Sequence, residues 1–250
     1  MEVDLPQLKK WLDEDVVILF ADRNEKISLI SDLKLLSMGA EAYIFKARFM
    51  GVEAVVKWRF PKNYIPEELD EKMRRSRTKL EAKILWKALS LGIKVPTPLF
   101  IDLDAGILIM SFIEGESLRD VAEKIDKDVL CQVMKTVGSY AATLHLNGIT
   151  HGDLTTSNVI VAKDGVYLID FGLASFTKRC EDMAIDLHIF FRSIESTHYR
   201  IEDVAKKCFI DGYKQVVGDS KTETLIRAVD SIRLRGRYIA ARKLRTEWVG

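Results

Sequence analysis

The sequence predicts an α+β chain of two lobes, a β-rich first lobe and a mainly helical second one. Three observations predict it. Short apolar runs with strand character fill the first part: Val16–Phe20, Lys34–Leu36, Tyr43–Phe49, Ala54–Trp58 and Ile107–Met110. From Ser117 onward helix-prone stretches dominate. Between them, Phe112-Ile113-Glu114-Gly115 reads as a connector. The expected division is an N-lobe over residues 1–110, a hinge over 111–115 and a C-lobe over 116–250, and 250 residues suffice for two such lobes.

In the first lobe, residues 1–32 form an extra N-terminal segment with a short helix over Leu5–Asp13. Met38–Ala42 separates two strands, and Gly51 turns the chain into the next. Pro66–Ser90 is long, charged and helix-prone, with Leu69, Met73, Leu80, Ile84 and Leu85 as an approximate apolar stripe. Its basic stretch, about residues 62–80, reads as an inserted helix, and Pro96 and Pro98 end the region. In the second lobe, Ser117 with Asp120 makes a helix cap, helix runs over Leu118–Leu146, and Asn147-Gly148 stops it. Val159–Val161 and Val166–Ile169 form a hairpin around Lys163-Asp164-Gly165, and everything from Met183 onward reads as helix.

The formal net charge is +1, so overall charge argues neither for nor against a nucleic-acid partner. No apolar run nears the roughly 18–20 residues that cross a bilayer, and the first residues lack a signal-peptide stretch, so the expected location is cytoplasmic. Cys131, Cys180 and Cys208 stand far apart without metal-ligand spacing and read as packed thiols of a reducing compartment.

The chemistry concentrates in His151-Gly152-Asp153-Leu154-Thr155-Thr156-Ser157-Asn158, followed after a hairpin by Asp170-Phe171-Gly172. This order resembles the H-x-D-x-x-x-x-N catalytic loop and D-F-G of protein kinases. The spacing suits phosphoryl transfer: one carboxylate orients the attacking hydroxyl, while an amide oxygen and a second carboxylate hold metal between phosphates. Asp153 is thus the expected catalytic base, and Asn158 and Asp170 the expected Mg²⁺ ligands. Lys57, closing Val55-Val56-Lys57, is expected to neutralise the α/β-phosphates of ATP, with Glu81 as its helix partner and Glu68 or Glu71 as competitors. Gly39-Ala40-Glu41-Ala42 replaces the usual glycine-rich loop and is expected to cover the phosphates. By analogy with kinases, Met110 lines the back of the adenine pocket, the main chain at Ser111 and Ile113 bonds the adenine edge, and Ile44, Val55, Ile160 and Ile169 sandwich the ring.

The chain departs from ordinary protein kinases after Gly172. It reaches Met183-Ala184-Ile185-Asp186-Leu187 within about 15 residues with no A-P-E, too short for a full activation segment and peptide platform. The expected architecture is therefore a bilobal protein-kinase-like fold with a minimal C-lobe. Thr155 stands where protein kinases place a lysine, and Asp186 is expected to brace the catalytic loop.

These residues resemble one family, the small atypical kinase of the KEOPS complex, also called the bud-site-selection or p53-related kinase family, in an archaeal-type single-domain form. The likeness rests on Gly39–Ala42, Lys57, Tyr64, Pro66, Leu69, Asp70, Arg74, Arg77-Thr78, Glu81, His151–Asn158, Ile169–Leu173, Glu181-Asp182, Asp186-Leu187 and Arg233-Leu234-Arg235-Gly236-Arg237, across residues 33–237. The resemblance implies a Mg·ATP-hydrolysing serine/threonine kinase that autophosphorylates and supports threonylcarbamoylation of adenosine in tRNA. It implies a large threonylcarbamoyltransferase subunit as main partner, with a small KEOPS subunit on the N-lobe. The residues before the glycine loop and those after Arg237 exceed the family pattern.

From Lys221 to Gly250 eight Lys/Arg stand against three acidic residues, a local excess of five positive charges. Such a tail, with Arg233, Arg235 and Arg237, can contact tRNA phosphates in a salt-dependent way. Lys72, Arg74, Arg75, Arg77 and Lys79 form a second basic run, expected to dock partners and brace the lobe. Two other functions share the motifs: a free-standing RIO-like or small-molecule phosphotransferase, and a scaffold that binds nucleotide without turnover. The intact set Lys57, Asp153, Asn158 and Asp170 argues against the scaffold.

Overall fold

The computed structural model describes residues 14–19 and 24–247; for 16–19, 24–27 and 236–247 only the backbone elements are described. The helix expected over Leu5–Asp13 lies outside the described residues. Two compact units emerge, one from the residues up to Trp86 together with Pro96–Ile113, the other from Lys87–Val95 together with the residues from Glu114 onward.

In the first unit, β1 (Asp15–Leu19) and β2 (Asn24–Ser28) form an antiparallel ribbon. A five-stranded antiparallel sheet follows, in the order β3 (Ile30–Met38), β4 (Tyr43–Phe49), β5 (Val52–Trp58), β7 (Ile107–Ser111), β6 (Pro98–Asp102). Side chains alternate along each strand. One face carries Phe45, Ala47, Ala54, Val56, Trp58, Ile107 and Ile109, all buried in one cluster. The ladder pairs Ile44 with Lys57 and Val55 with Met110, which puts these four residues together on the opposite face. β6 runs through a segment expected only to terminate a helix: Pro98 sits at the first position of an edge strand, where its missing N–H costs no ladder bond.

Helix α1 (Glu67–Ser90) occupies the expected span, and its buried face keeps the second half of the expected apolar stripe, Ile84 and Leu85, with Leu80 half-buried. Leu69 and Met73 are exposed, whereas Asp70, Thr78 and Glu81 are buried with Ala82, Ile84, Leu85 and Ala88. Over the first turns the polar Asp70 takes the buried position in place of apolar packing, so hydrophobic periodicity misplaces the face there.

The second unit holds the sheet β11 (Gly165–Leu168), β10 (Val159–Ala162), β8 (Gly115–Ser117) and the pair β9 (Ile149–Thr150) with β12 (Ser175–Phe176). Ser117 caps α2 (Leu118–Val121), its hydroxyl accepting the Asp120 N–H at 3.2 Å. The helix expected over Leu118–Leu146 is broken after this first turn. Asp126 accepts the Asp128 N–H and starts α3 (Lys127–Leu146) afresh, a cap competing with continuation. Gly148, at φ +66°, follows the end of α3 at the expected stop. Then come α4 (Cys180–Thr197), α5 (Glu202–Val217) and α6 (Asp219–Glu247).

α3 and α5 pack backbone to backbone. A Cβ on Gly138 would lie 2.0 Å from the Phe209 carbonyl, and one on Gly212 2.0 Å from the Lys135 carbonyl. This approach brings Cys131 and Cys208 to a Cα separation of 5.2 Å, and they form a disulfide. That corrects the expectation of three free thiols; a separation of 77 residues in sequence conceals a contact that two helical glycines create. Cys180 is free and exposed. Among the described residues no helix is long and apolar enough to cross a membrane.

Candidate active site

The catalytic-loop motif sits in the second unit between β9 and β10, held from below by α4. Asp186 of α4 is buried, and its carboxylate accepts the backbone N–H of His151 at 2.6 Å and of Gly152 at 2.8 Å. Ser193, two turns on, accepts the Thr156 N–H at 3.2 Å. Gly152 adopts φ +81° and a Cβ there would meet the Leu173 carbonyl at 2.2 Å, so only glycine fits.

His151 is buried with its ring against Phe171, centroids 4.5 Å apart. Its Nε2 meets the Ile169 carbonyl at 3.1 Å, and its Nδ1 faces the Asp153 N–H at 3.4 Å. A carbonyl only accepts, so Nε2 carries the proton and Nδ1 is the acceptor. Burial pushes the imidazole below its usual pKa, against the pull of Asp186, Asp170 and Asp153, which keeps it neutral in this role. One ring thus joins the loop of Asp153 to the residue before Asp170. A second link is the Ile169 N–H, which donates to the Asn158 carbonyl at 3.0 Å.

The Asn158 amide donates through Nδ2 to the Asp153 carboxylate at 3.0 Å and to the Asp153 carbonyl at 2.8 Å. Its Oδ1 therefore faces away from that carboxylate. Asp170 is exposed, has φ +60°, and accepts the Gly172 N–H at 3.2 Å. The donor set that results, one amide oxygen and one carboxylate with no third acid, suits Mg²⁺, which binds few protein oxygens and completes its shell with water and phosphate. Among the described residues no cluster of three or more His, Cys, Asp or Glu could hold a metal alone.

In the first unit Lys57 is buried and donates to Glu81 Oε1 at 2.8 Å. The competitor Glu71 lies 3.8 Å from Arg75 instead. Sequence reasoning missed Arg59, which donates to Glu81 Oε2 at 2.5 Å and to the Thr78 hydroxyl at 3.3 Å. Its position two residues after Lys57 on an extended chain, hence on the same side, was the available signal. Gly39 donates its N–H to the Ala42 carbonyl at 3.0 Å, closing a tight turn, and Glu41 is held by Arg77 of α1. Ile44 and Val55 are half-buried and Met110 buried on the face they share with Lys57. Ser111 N–H donates to the Thr97 carbonyl at 2.9 Å, and Ile113 is half-buried. Ile160 and Ile169 are half-buried in the second unit.

Sequence reasoning also missed a buried chain behind Asp186. His145 Nε2 lies 3.3 Å from Asp186, and its Nδ1 lies 2.8 Å from the Tyr213 hydroxyl. Neither residue belongs to a motif, so nothing in their spacing revealed them. Among the described residues most arginines of the two basic runs are paired within the chain. Arg74 pairs with Asp70, Arg75 with Asp104 and Arg77 with Glu41. Arg233 lies 2.7 Å from Glu195, which also takes Lys206, and Arg235 lies 3.0 Å from Glu181.

Comparison with known proteins agrees with this geometry. The RIO domain family matches residues 45–187, from β4 through Asp186. The chain is similar to the KEOPS complex subunit Bud32 of Pyrococcus abyssi, 39% identical over 212 residues, which are 82% of this chain and 96% of that one. It is 35% identical to the EKC/KEOPS complex subunit Tp53rkb of Mus musculus over 88% of this chain and 93% of that one. A probable bifunctional tRNA threonylcarbamoyladenosine biosynthesis protein of Methanothermobacter thermautotrophicus is 37% identical over 95% of this chain, which spans only 40% of that longer protein. Sharing the RIO match and nearly the full length of its single-domain relatives, the chain belongs to the Bud32 family of RIO-domain, protein-kinase-like proteins.

Proposed function

We propose that this protein is the atypical serine/threonine kinase and ATPase subunit of a KEOPS complex, acting in support of threonylcarbamoyladenosine formation on tRNA. The observation that carries the reading is the pairing of Asp153 with Asn158 on a loop whose amides are held by Asp186. Asp153 orients the attacking hydroxyl, of water or of a serine or threonine, and takes up its proton as the γ-phosphoryl group leaves ADP. Lys57, fixed by Glu81, neutralises the α/β-phosphates; Ile44, Val55, Met110, Ile160 and Ile169 pack on adenine, with main-chain bonds at Ser111 and Ile113. Asn158 Oδ1 and the Asp170 carboxylate would hold Mg²⁺, which when bound offsets the charge of the β- and γ-phosphates. Gly39–Ala42 closes over the phosphates.

The names of the relatives support a partnership with other subunits of a KEOPS complex; a large threonylcarbamoyltransferase subunit, and a small subunit on the first unit, are the partners that the family resemblance implies. The tail supports tRNA contact through its charge beyond Arg235, since Arg233 and Arg235 already meet carboxylates. The test is ATP turnover by the isolated chain, then with transferase and tRNA. Stimulated hydrolysis, lost in Asp153→Ala and Asp170→Ala, is expected; turnover retained by both variants would overturn the assignment.

A further inference from the structure

The first unit contains a small cationic cavity, of whose wall the nucleotide reading uses only Glu41. It has a volume of about 50 Å³ and is lined by Glu41, Arg59, Phe60, Lys62, Ile65, Asp70, Met73, Arg74 and Arg77. Arg59 is 2% exposed, yet its Nε–H has no hydrogen-bond partner among the described residues, and neither has Nη1 of Arg74. Buried guanidinium donors left unpaired are costly and uncommon. Gly106, at φ +70°, keeps the wall thin: a Cβ there would stand 2.8 Å from the Arg59 carbonyl and 3.3 Å from Arg74 Nη1.

Charge points the same way. On the wall Arg59, Lys62, Arg74 and Arg77 stand against Asp70 and Glu41, four cations against two carboxylates, an excess of two. Glu41 comes from the β3–β4 turn and is bound by Arg77, with Lys62 and Arg59 adding to the positive field that lowers its pKa. It supplies the one mobile-length carboxylate on the wall that belongs to a loop rather than to α1.

We propose that this cavity is a phosphoryl-oxyanion subsite, walled by Arg59, Lys62, Arg74 and Arg77, with the Glu41 carboxylate as the intramolecular stand-in that a phosphate group displaces. A doubly charged tetrahedral oxyanion matches both the charge excess and the unpaired donors. It goes beyond the nucleotide site and does not depend on turnover, because the ligand can be tested without ATP.

The experiment titrates inorganic phosphate into the full chain by calorimetry, at low chloride. Glu41→Gln removes the competing anion and should tighten phosphate binding several-fold. Arg77→Gln and Lys62→Met, both at partly exposed positions that tolerate change, should each weaken it by about tenfold or more, the loss of a charge-assisted contact. Repeating the titration with saturating ATP separates the sources: competition identifies the terminal phosphate of the nucleotide, and undiminished binding identifies a separate phosphoryl group. No phosphate binding by either the native chain or Glu41→Gln, or equal binding in Arg77→Gln and Lys62→Met, would mean a water-filled cavity only and would overturn the proposal.

Discussion

The carboxylate of Asp186 accepts the backbone N–H of His151 at 2.6 Å, from a helix that begins only eight residues after Gly172. Its other oxygen takes the next amide, at Gly152. Two charge-assisted bonds in a buried setting hold the loop that carries Asp153, and the missing activation segment leaves this contact and Ser193 as the supports from α4. Asp186→Asn keeps the size but exchanges one acceptor for a donor that opposes an amide N–H. We expect kcat for ATP hydrolysis to fall about 100-fold, the order of loss that an ångström of misplacement produces, with KM for ATP changed little. Equal losses in kcat and affinity would instead mark a collapse of the whole unit.

Glu81 answers two cations at once, Lys57 and Arg59, and all three side chains are at least nine-tenths buried. Removing the shared carboxylate therefore takes from two buried cations their common anion. Glu81→Ala should destabilise the first unit by about 3–5 kcal/mol, the range for a broken buried pair, as read from urea unfolding. Lys57→Met, which leaves Glu81 with Arg59, should cost clearly less while abolishing turnover. Comparable destabilisation by the two variants would refute the shared-carboxylate account.

How much of this could be seen in the sequence depended on whether a residue's partner is near in sequence or follows a period. His151, Asp153, Asn158 and Asp170 stand at fixed spacings around a hairpin, and Lys57 closes the strand pattern Val55-Val56-Lys57 upstream of them, so their positions were legible. The fold class followed from the same periodicities. His145 and Tyr213 were not legible, because each acts through a contact at least 41 residues away and belongs to no motif. The interruption of the helix after Val121 was hidden for a different reason: Asp126 is an unremarkable helix residue until its side chain captures the Asp128 amide.

Three histidines share one sign. Burial lowers the pKa of His151, His188 and His198 below the usual 6.5. The unfolded chain then binds more protons than the folded one once the pH falls below about 6.5. Stability is fully present above that value and is lost as the pH falls through the folded-state pKa values. We expect the melting temperature to be flat from pH 8 to 7 and to drop steadily from pH 6.5 to 5. His151→Gln should blunt that drop, at the expense of the bridge between Ile169 and Asp153. A melting temperature that rises on acidification would contradict the sign.

The disulfide between Cys131 and Cys208 closes a loop that contains the whole catalytic motif, from α3 through α5. In the chain-entropy view, a closure spanning 77 residues stabilises the fold by about 4.5 kcal/mol, since the cross-link limits the unfolded chain. The α3–α5 contact has its own basis in the close approach at Gly138 and Gly212, so reduction should leave the fold intact but weaker. We expect dithiothreitol, or the pair Cys131→Ser and Cys208→Ser, to lower the melting temperature by about 10–18 °C while ATP turnover at 25 °C stays within about twofold. Cys180→Ser, which removes the exposed free thiol, should change neither the melting temperature nor turnover. If reduction left the melting temperature unmoved, the two sulfurs would be packed thiols after all, and the glycine contacts alone would hold α3 to α5.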